Sequence, residues 1–97
     1  MGYLSEFPDY DGEFYIPKGW VDNSWHNDVC PRALHRIETE TMIIDFSLWQ
    51  DYVDENKREY DPTKRYLFQI HVNNELVYHY ETDSLDKAKE IMKGVQI

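Results

Sequence analysis

One cysteine, Cys30, is all the thiol chemistry in the chain, so no disulfide can form within it and packing must hold the fold. Glycine is also scarce. Its four copies stand apart at positions 2, 12, 19 and 94, and they cannot build a phosphate-cradling loop of the nucleotide-binding kind. No stretch approaches the roughly 18 apolar residues of a membrane span. The start, MGYLSEFPDYDGEF, has neither the basic opening nor the apolar run of a secretory signal. These absences give the expectation of a cytoplasmic protein with no membrane partner. Bases are few: ten Lys and Arg against nineteen Asp and Glu leave a net charge of -9. That balance repels phosphate backbones and argues against direct nucleic-acid binding.

Aromatic residues are what the chain has in plenty, with three Trp, eight Tyr and four Phe among 97 residues. Each buries a large area, which a domain this short needs. No repeat or Gly/Ser linker divides the sequence, so residues 1–97 read as one domain. The charge is uneven along it. Residues 1–30 hold Glu6, Asp9, Asp11, Glu13, Asp22 and Asp28 against Lys18 alone, a local balance of -5. A solvated, solubilising surface is the plainer reading of these acids; an acidic face aimed at a basic partner is the sharper one.

Residues 42–97 carry clear periodicity. In MIIDFSLWQDY, Met42, Ile44, Phe46, Leu48 and Tyr52 fall on one face and Asp45, Ser47 and Asp51 on the other, as in a half-buried strand. In and around the polar stretch DENKREYDPTK, Asp51, Asp54, Glu55, Glu59 and Asp61 are interleaved with Lys57, Arg58, Lys64 and Arg65. It reads as a solvated, salt-bridged loop and lacks the glycine of a calcium loop. RYLFQIHV then places Tyr66, Phe68, Ile70 and Val72 together, and LVYHYE places Leu76, Tyr78 and Tyr80 together, with His71 and His79 in the opposite, exposed phase. A two-residue Asn73-Asn74 turn would pair Val72 with Glu75 and set Phe68 opposite His79, mixing the faces. A three-residue loop, Asn73 to Glu75, pairs Val72 with Leu76, Ile70 with Tyr78 and Phe68 with Tyr80, and is the favoured reading. Thr82-Asp83-Ser84 supplies capping side chains for a helix with Leu85, Ala88, Ile91 and Met92 on one face and Gly94 as its stop. The expected fold is α+β: a three-stranded antiparallel β-meander (42–97, β-β-β-α) packed against one C-terminal helix, with residues 1–41 a largely irregular, aromatic-rich segment.

Residues 16–35, IPKGWVDNSWHNDVCPRALH, gather two Trp, two His and the cysteine. The plainer reading is that Trp20 and Trp25 close a core that three strands and a helix cannot cover. His26, Cys30 and His35 form H-x3-C-x4-H, which zinc accepts in ligand type but which lacks paired short spacings and a second cysteine. A Cys30 nucleophile with His26 or His35 as base and Asp28 as orienting group has its ingredients present, but the surrounding acids oppose thiolate formation.

The reading that follows is a small acidic interaction protein without enzymatic activity and without a cofactor. It would bind a protein partner with a basic surface through Asp9, Tyr10, Asp11, Glu13, Trp20 and Trp25. In size and charge the chain resembles small phage or mobile-element inhibitors that imitate nucleic acid, a resemblance of composition with no motif behind it. The alternatives are a metal-binding or cysteine-dependent protein built on His26, Cys30 and His35, and a homodimer pairing through an exposed strand edge or an aromatic patch.

Overall fold

A computed structural model describes residues 2–94. Its elements run α1 (Tyr3–Glu6), β1 (Val21–Asp22), β2 (Arg32–Glu38), β3 (Ile43–Gln50), a 3-10 turn at Glu55–Lys57, β4 (Tyr66–Val72), β5 (Glu75–Thr82) and α2 (Leu85–Gly94). The expected three-stranded meander is therefore corrected. The sheet has five antiparallel strands in the order β1-β2-β3-β4-β5, and the two added strands lie within the segment read as irregular. The α+β class stands.

The physical reason is legible in β2. Its core-facing residues are Ala33, His35 and Ile37, only two of them apolar, while Leu34 points the other way, so alternation is blurred. Pairing with β3 along the whole strand, Arg32↔Trp49 to Glu38↔Ile43, supplies what the pattern does not. Thr39 closes this hairpin: its N–H donates to Met42 O at 2.8 Å, and its hydroxyl accepts the Met42 N–H at 2.9 Å. The two-residue β1 is held from both ends of Asp22, whose Oδ2 accepts the Tyr3 N–H and whose Oδ1 accepts both the N–H and the hydroxyl of Ser24.

The β4–β5 hairpin corrects the favoured register in one part. Asn73 and Asn74 form the two-residue turn, both in the left-handed region at φ 50° and 69°, and Val72 pairs with Glu75. A bulge follows. His71 pairs with Leu76, but Ile70 pairs with Tyr78 and Phe68 with Tyr80, so Val77 is the extra residue that sets Tyr78 and Tyr80 on the face of Ile70 and Phe68, while Leu76, expected with them, lies opposite His71.

The core lies between this face and α2. Ala33, Phe46, Leu48, Tyr66 and Phe68 from the sheet meet Ala88 and Met92 of the helix, with Trp20 closing one side. Ser84 caps α2, its hydroxyl accepting the Lys87 N–H at 3.3 Å. Gly94 is the last described residue, so the helix stop expected there borders residues outside the description. Phe7, Tyr10 and Tyr52 form a second buried cluster against Tyr3 and Phe14, which ties the N-terminal segment to the end of β3. Among the described residues, no second sheet or long helix covers the opposite face.

Candidate functional site

That opposite face carries three polar rows across the strands. Arg36, Asp45 and His71 form one; Leu34, Ser47, Gln69 and His79 the next; Arg32, Trp49, Leu67 and Glu81 the third. Arg36 grips Asp45 in a two-pronged ion pair at 2.6 and 3.0 Å, which holds the Asp45 carboxyl below its ordinary pKa. Trp49 donates its indole N–H to Gln69 Oε1 at 3.1 Å, and the Arg32 guanidinium lies 4.9 Å over its ring. His79 Nε2 contacts Glu81 Oε2 at 2.8 Å.

At the β3–β4 end of this face, the 27–30 loop and the chain before β4 help line a cleft of about 300 Å³. It is lined by Trp49, Gln69 and Glu81 from the strands, by Asp28 and Cys30 from the loop before β2, and by Asp51, Tyr60, Lys64 and Arg65 from the β3–β4 connection. Asp51 is 4% exposed, and burial raises its carboxyl pKa against the opposing pull of the Tyr52 N–H, Arg58 and Arg65. Only its Oδ1 is used within the described fold, accepting the Tyr52 N–H at 2.8 Å. The expectation of a solvated, salt-bridged loop needs a physical adjustment here. Asp51 is buried, and Arg58 donates to the carbonyl oxygens of Tyr52, Val53 and Pro62, with its acidic contact at Asp83, 3.6 Å away.

Beside the cleft, two acidic stretches of sequence converge. Asp11 accepts the N–H groups of Val53 and Asp54 at 2.8 and 2.9 Å, and Asp9 accepts the Tyr52 hydroxyl at 2.8 Å. The close approach requires Gly12, where a Cβ would collide with the Arg65 guanidinium and come within 2.8 Å of a Val53 methyl. Arg65 sits at the junction, donating to Asp51 O at 3.0 Å, to the hydroxyls of Tyr66 and Tyr10 at 2.8 and 3.1 Å, and to Glu13 O. Asp9, Glu13, Asp54, Glu55 and Glu59 are exposed around this end.

The residues singled out by sequence are thus divided. Tyr10 and Trp20 are buried, and Asp11 is engaged by backbone N–H groups. Asp9 and Glu13 are exposed at the acidic end, and Trp25 is 49% exposed, its ring 4.3 Å from that of His26. His26, Cys30 and His35 are not brought together: His26 contacts Glu6 Oε1 at 2.9 Å, His35 lies between Trp20 and Phe46, and Cys30 is 2% exposed. Among the described residues, no group of three His, Cys, Asp or Glu side chains is placed to hold a metal ion. Burial raises the Cys30 thiol pKa, and the neighbouring Asp51 and Asp28 raise it further.

Sequence reasoning missed Trp49, Gln69, Tyr60 and Glu81 as lining residues. Trp49 did leave a signal, since a large aromatic in the polar phase of β3 has no place in the core. Tyr60 left none, because loop closure alone brings it to the cleft. Comparison with family models, curated proteins and solved structures finds no match to this chain. Among the described residues, no helix is long and apolar enough to cross a membrane.

Proposed function

We propose that the protein is a non-enzymatic acidic binding module that docks a basic surface of a macromolecular partner at the β3–β4 end of its sheet. The observation that carries this reading is the junction made by Asp11 with Val53 and Asp54. It joins the acids of the N-terminal segment to those of the β3–β4 connection on one end of the fold. The two arginines of that end direct most of their donors at carbonyl and hydroxyl oxygens of their own chain, Arg58 also lying 3.6 Å from Asp83, while Asp9, Glu13, Asp54, Glu55 and Glu59 face solvent and outnumber the exposed Lys57 and Lys64. A field of this sign steers a basic partner and repels nucleic acid. In its most specific form the module occupies a nucleic-acid-binding surface of another protein, presenting carboxylates where phosphates would lie.

Self-association fits less well. β5 is an edge strand with Leu76, Val77 and Tyr78 exposed, but the bulge at Val77 breaks its regularity and a net charge of -9 opposes two copies meeting.

The test is affinity capture from the source cell followed by association kinetics on the purified pair. Between about 0.05 and 0.5 M salt the Debye length falls from roughly 14 to 4 Å, so the association rate should drop severalfold while dissociation changes less. A salt-independent association rate would overturn the reading.

A further inference from the structure

We propose that the cleft is a socket for one arginine side chain of the partner, whose guanidinium enters between Trp49 and Tyr60 and pairs with the Asp51 carboxylate. This rests on the acidic-module reading and goes further, since it names the group recognised and the residues that recognise it.

Asp51 is the buried carboxylate among the residues lining the cleft. It is 4% exposed, it lines the cleft, and within the described fold one carboxylate oxygen accepts a hydrogen bond while the other accepts none. The free oxygen is not among the fully buried unpartnered atoms, so it is open to the cleft, where an incoming cation can displace its water and pair with a carboxylate already largely removed from solvent. The nearest candidates within the chain do not pair with it. Arg65 is committed to Asp51 O, Tyr66, Tyr10 and Glu13 O, and Arg58 to the carbonyls of Tyr52, Val53 and Pro62.

The aromatic lining favours one kind of cation over another. A guanidinium is planar, stacks on aromatic faces and matches a carboxylate with two parallel donors, whereas an ammonium is a compact, strongly hydrated charge. The cleft offers the indole of Trp49, fixed by its bond to Gln69, and the half-exposed ring of Tyr60. Trp49 already attracts a guanidinium within the chain, that of Arg32. The volume of about 300 Å³ suits one long side chain. Lys64 and Arg65 are the opposing charges in the lining: Arg65 is held by its bonds to Asp51 O, Tyr66, Tyr10 and Glu13 O, and Lys64, being exposed, can swing to solvent.

The probe is N-acetyl-arginine amide, with N-acetyl-citrulline amide as its neutral isostere and N-acetyl-lysine amide as the ammonium control. Each is titrated into the 15N-labelled protein while the Trp49 indole N–H is followed by NMR. For a ligand of this size the arginine amide should give a saturable shift with a dissociation constant of about 1–10 mM. The citrulline and lysine analogues, and Asp51→Asn with arginine amide, should bind at least tenfold more weakly. Lys64→Ala should bind arginine amide severalfold more tightly.

Equal binding of the citrulline analogue overturns the socket, as does Asp51→Asn that keeps a native spectrum and full affinity, or no saturable shift up to about 50 mM, well beyond the affinity such a ligand should have. Equal binding of the lysine analogue overturns the guanidinium assignment. If Asp51→Asn does not fold, the arginine–citrulline comparison on the native chain decides alone. A protein whose partner binds with strong salt dependence but which ignores arginine amide keeps the module and loses the socket. The reverse result keeps the socket and loses the steering.

Discussion

The side-chain amide of Gln50 closes a two-bond ring with the backbone of Tyr15: Oε1 accepts the Tyr15 N–H at 2.7 Å and Nε2 donates to the Tyr15 carbonyl at 2.6 Å. Gln50 is fully buried in a position of β3 where the pattern calls for an apolar residue. It acts as a strand of one residue, satisfying an irregular backbone that no neighbouring strand reaches. Gln50→Leu keeps the volume but leaves both Tyr15 groups unpaired, and should cost about 2–4 kcal/mol. Urea denaturation measures this. A change below about 0.5 kcal/mol, within the range of an ordinary surface substitution, would show that the N-terminal segment is not anchored there.

Alkaline titration tests the second buried cluster. Burial lifts the Tyr10 phenol from 10.0 to about 12, against the opposing pull of Arg65, and it raises Tyr52 and Tyr66 as well. The folded state therefore holds these protons more tightly than the unfolded state. Their contribution to stability is complete below pH 10 and is lost as pH rises from there through about 12 for Tyr10. Absorbance at the tyrosinate band should show a late phase coinciding with loss of the sheet signal in circular dichroism. Complete ionisation of the tyrosines near pH 10 with the fold intact would contradict the burial of Tyr10.

Ser47 occupies the middle of the open face of β3 with no exposed surface, and its hydroxyl has no hydrogen-bond partner among the described residues. Ser47→Ala removes a desolvated polar group and should be neutral or stabilising by up to about 1 kcal/mol. A loss of that size in the urea midpoint analysis would mean the hydroxyl makes a bond that this arrangement lacks.

Cys30 should react slowly with a thiol reagent at neutral pH in the native protein and at once in denaturant, because it is buried and its pKa is raised by burial and by Asp51 and Asp28. Rapid native labelling, with loss of binding, would return a cysteine-dependent activity to consideration.

How far the sequence foretold this arrangement differs from element to element. Phe46 and Phe68 are buried opposite α2 as their alternation requires, and Leu85, Ala88, Ile91 and Met92 form the helix face that meets them. β2 was hidden because its inward face is Ala33, His35 and Ile37, and its stability comes from pairing with β3, which local pattern does not report. The β4–β5 register turns on Val77: the expected pairs Ile70 with Tyr78 and Phe68 with Tyr80 form, through a bulge and not a longer turn, whereas Leu76 pairs with His71 and not with Val72. The cleft was hardest to foresee. Asp28, Asp51, Tyr60 and Glu81 are far apart in sequence, and the chain closes them together through contacts such as Asp51 N to Arg65 O at 2.7 Å.

The most direct test of the acidic end as the docking surface is an NMR footprint of the captured partner on the 15N-labelled protein. The account predicts shifted or broadened amides at Asp9, Glu13, Asp28, Asp54, Glu55 and Tyr60, together with the Trp49 indole. A footprint on the exposed side of α2 or on the Asn73-Asn74 turn, with the acidic end unperturbed, would contradict it.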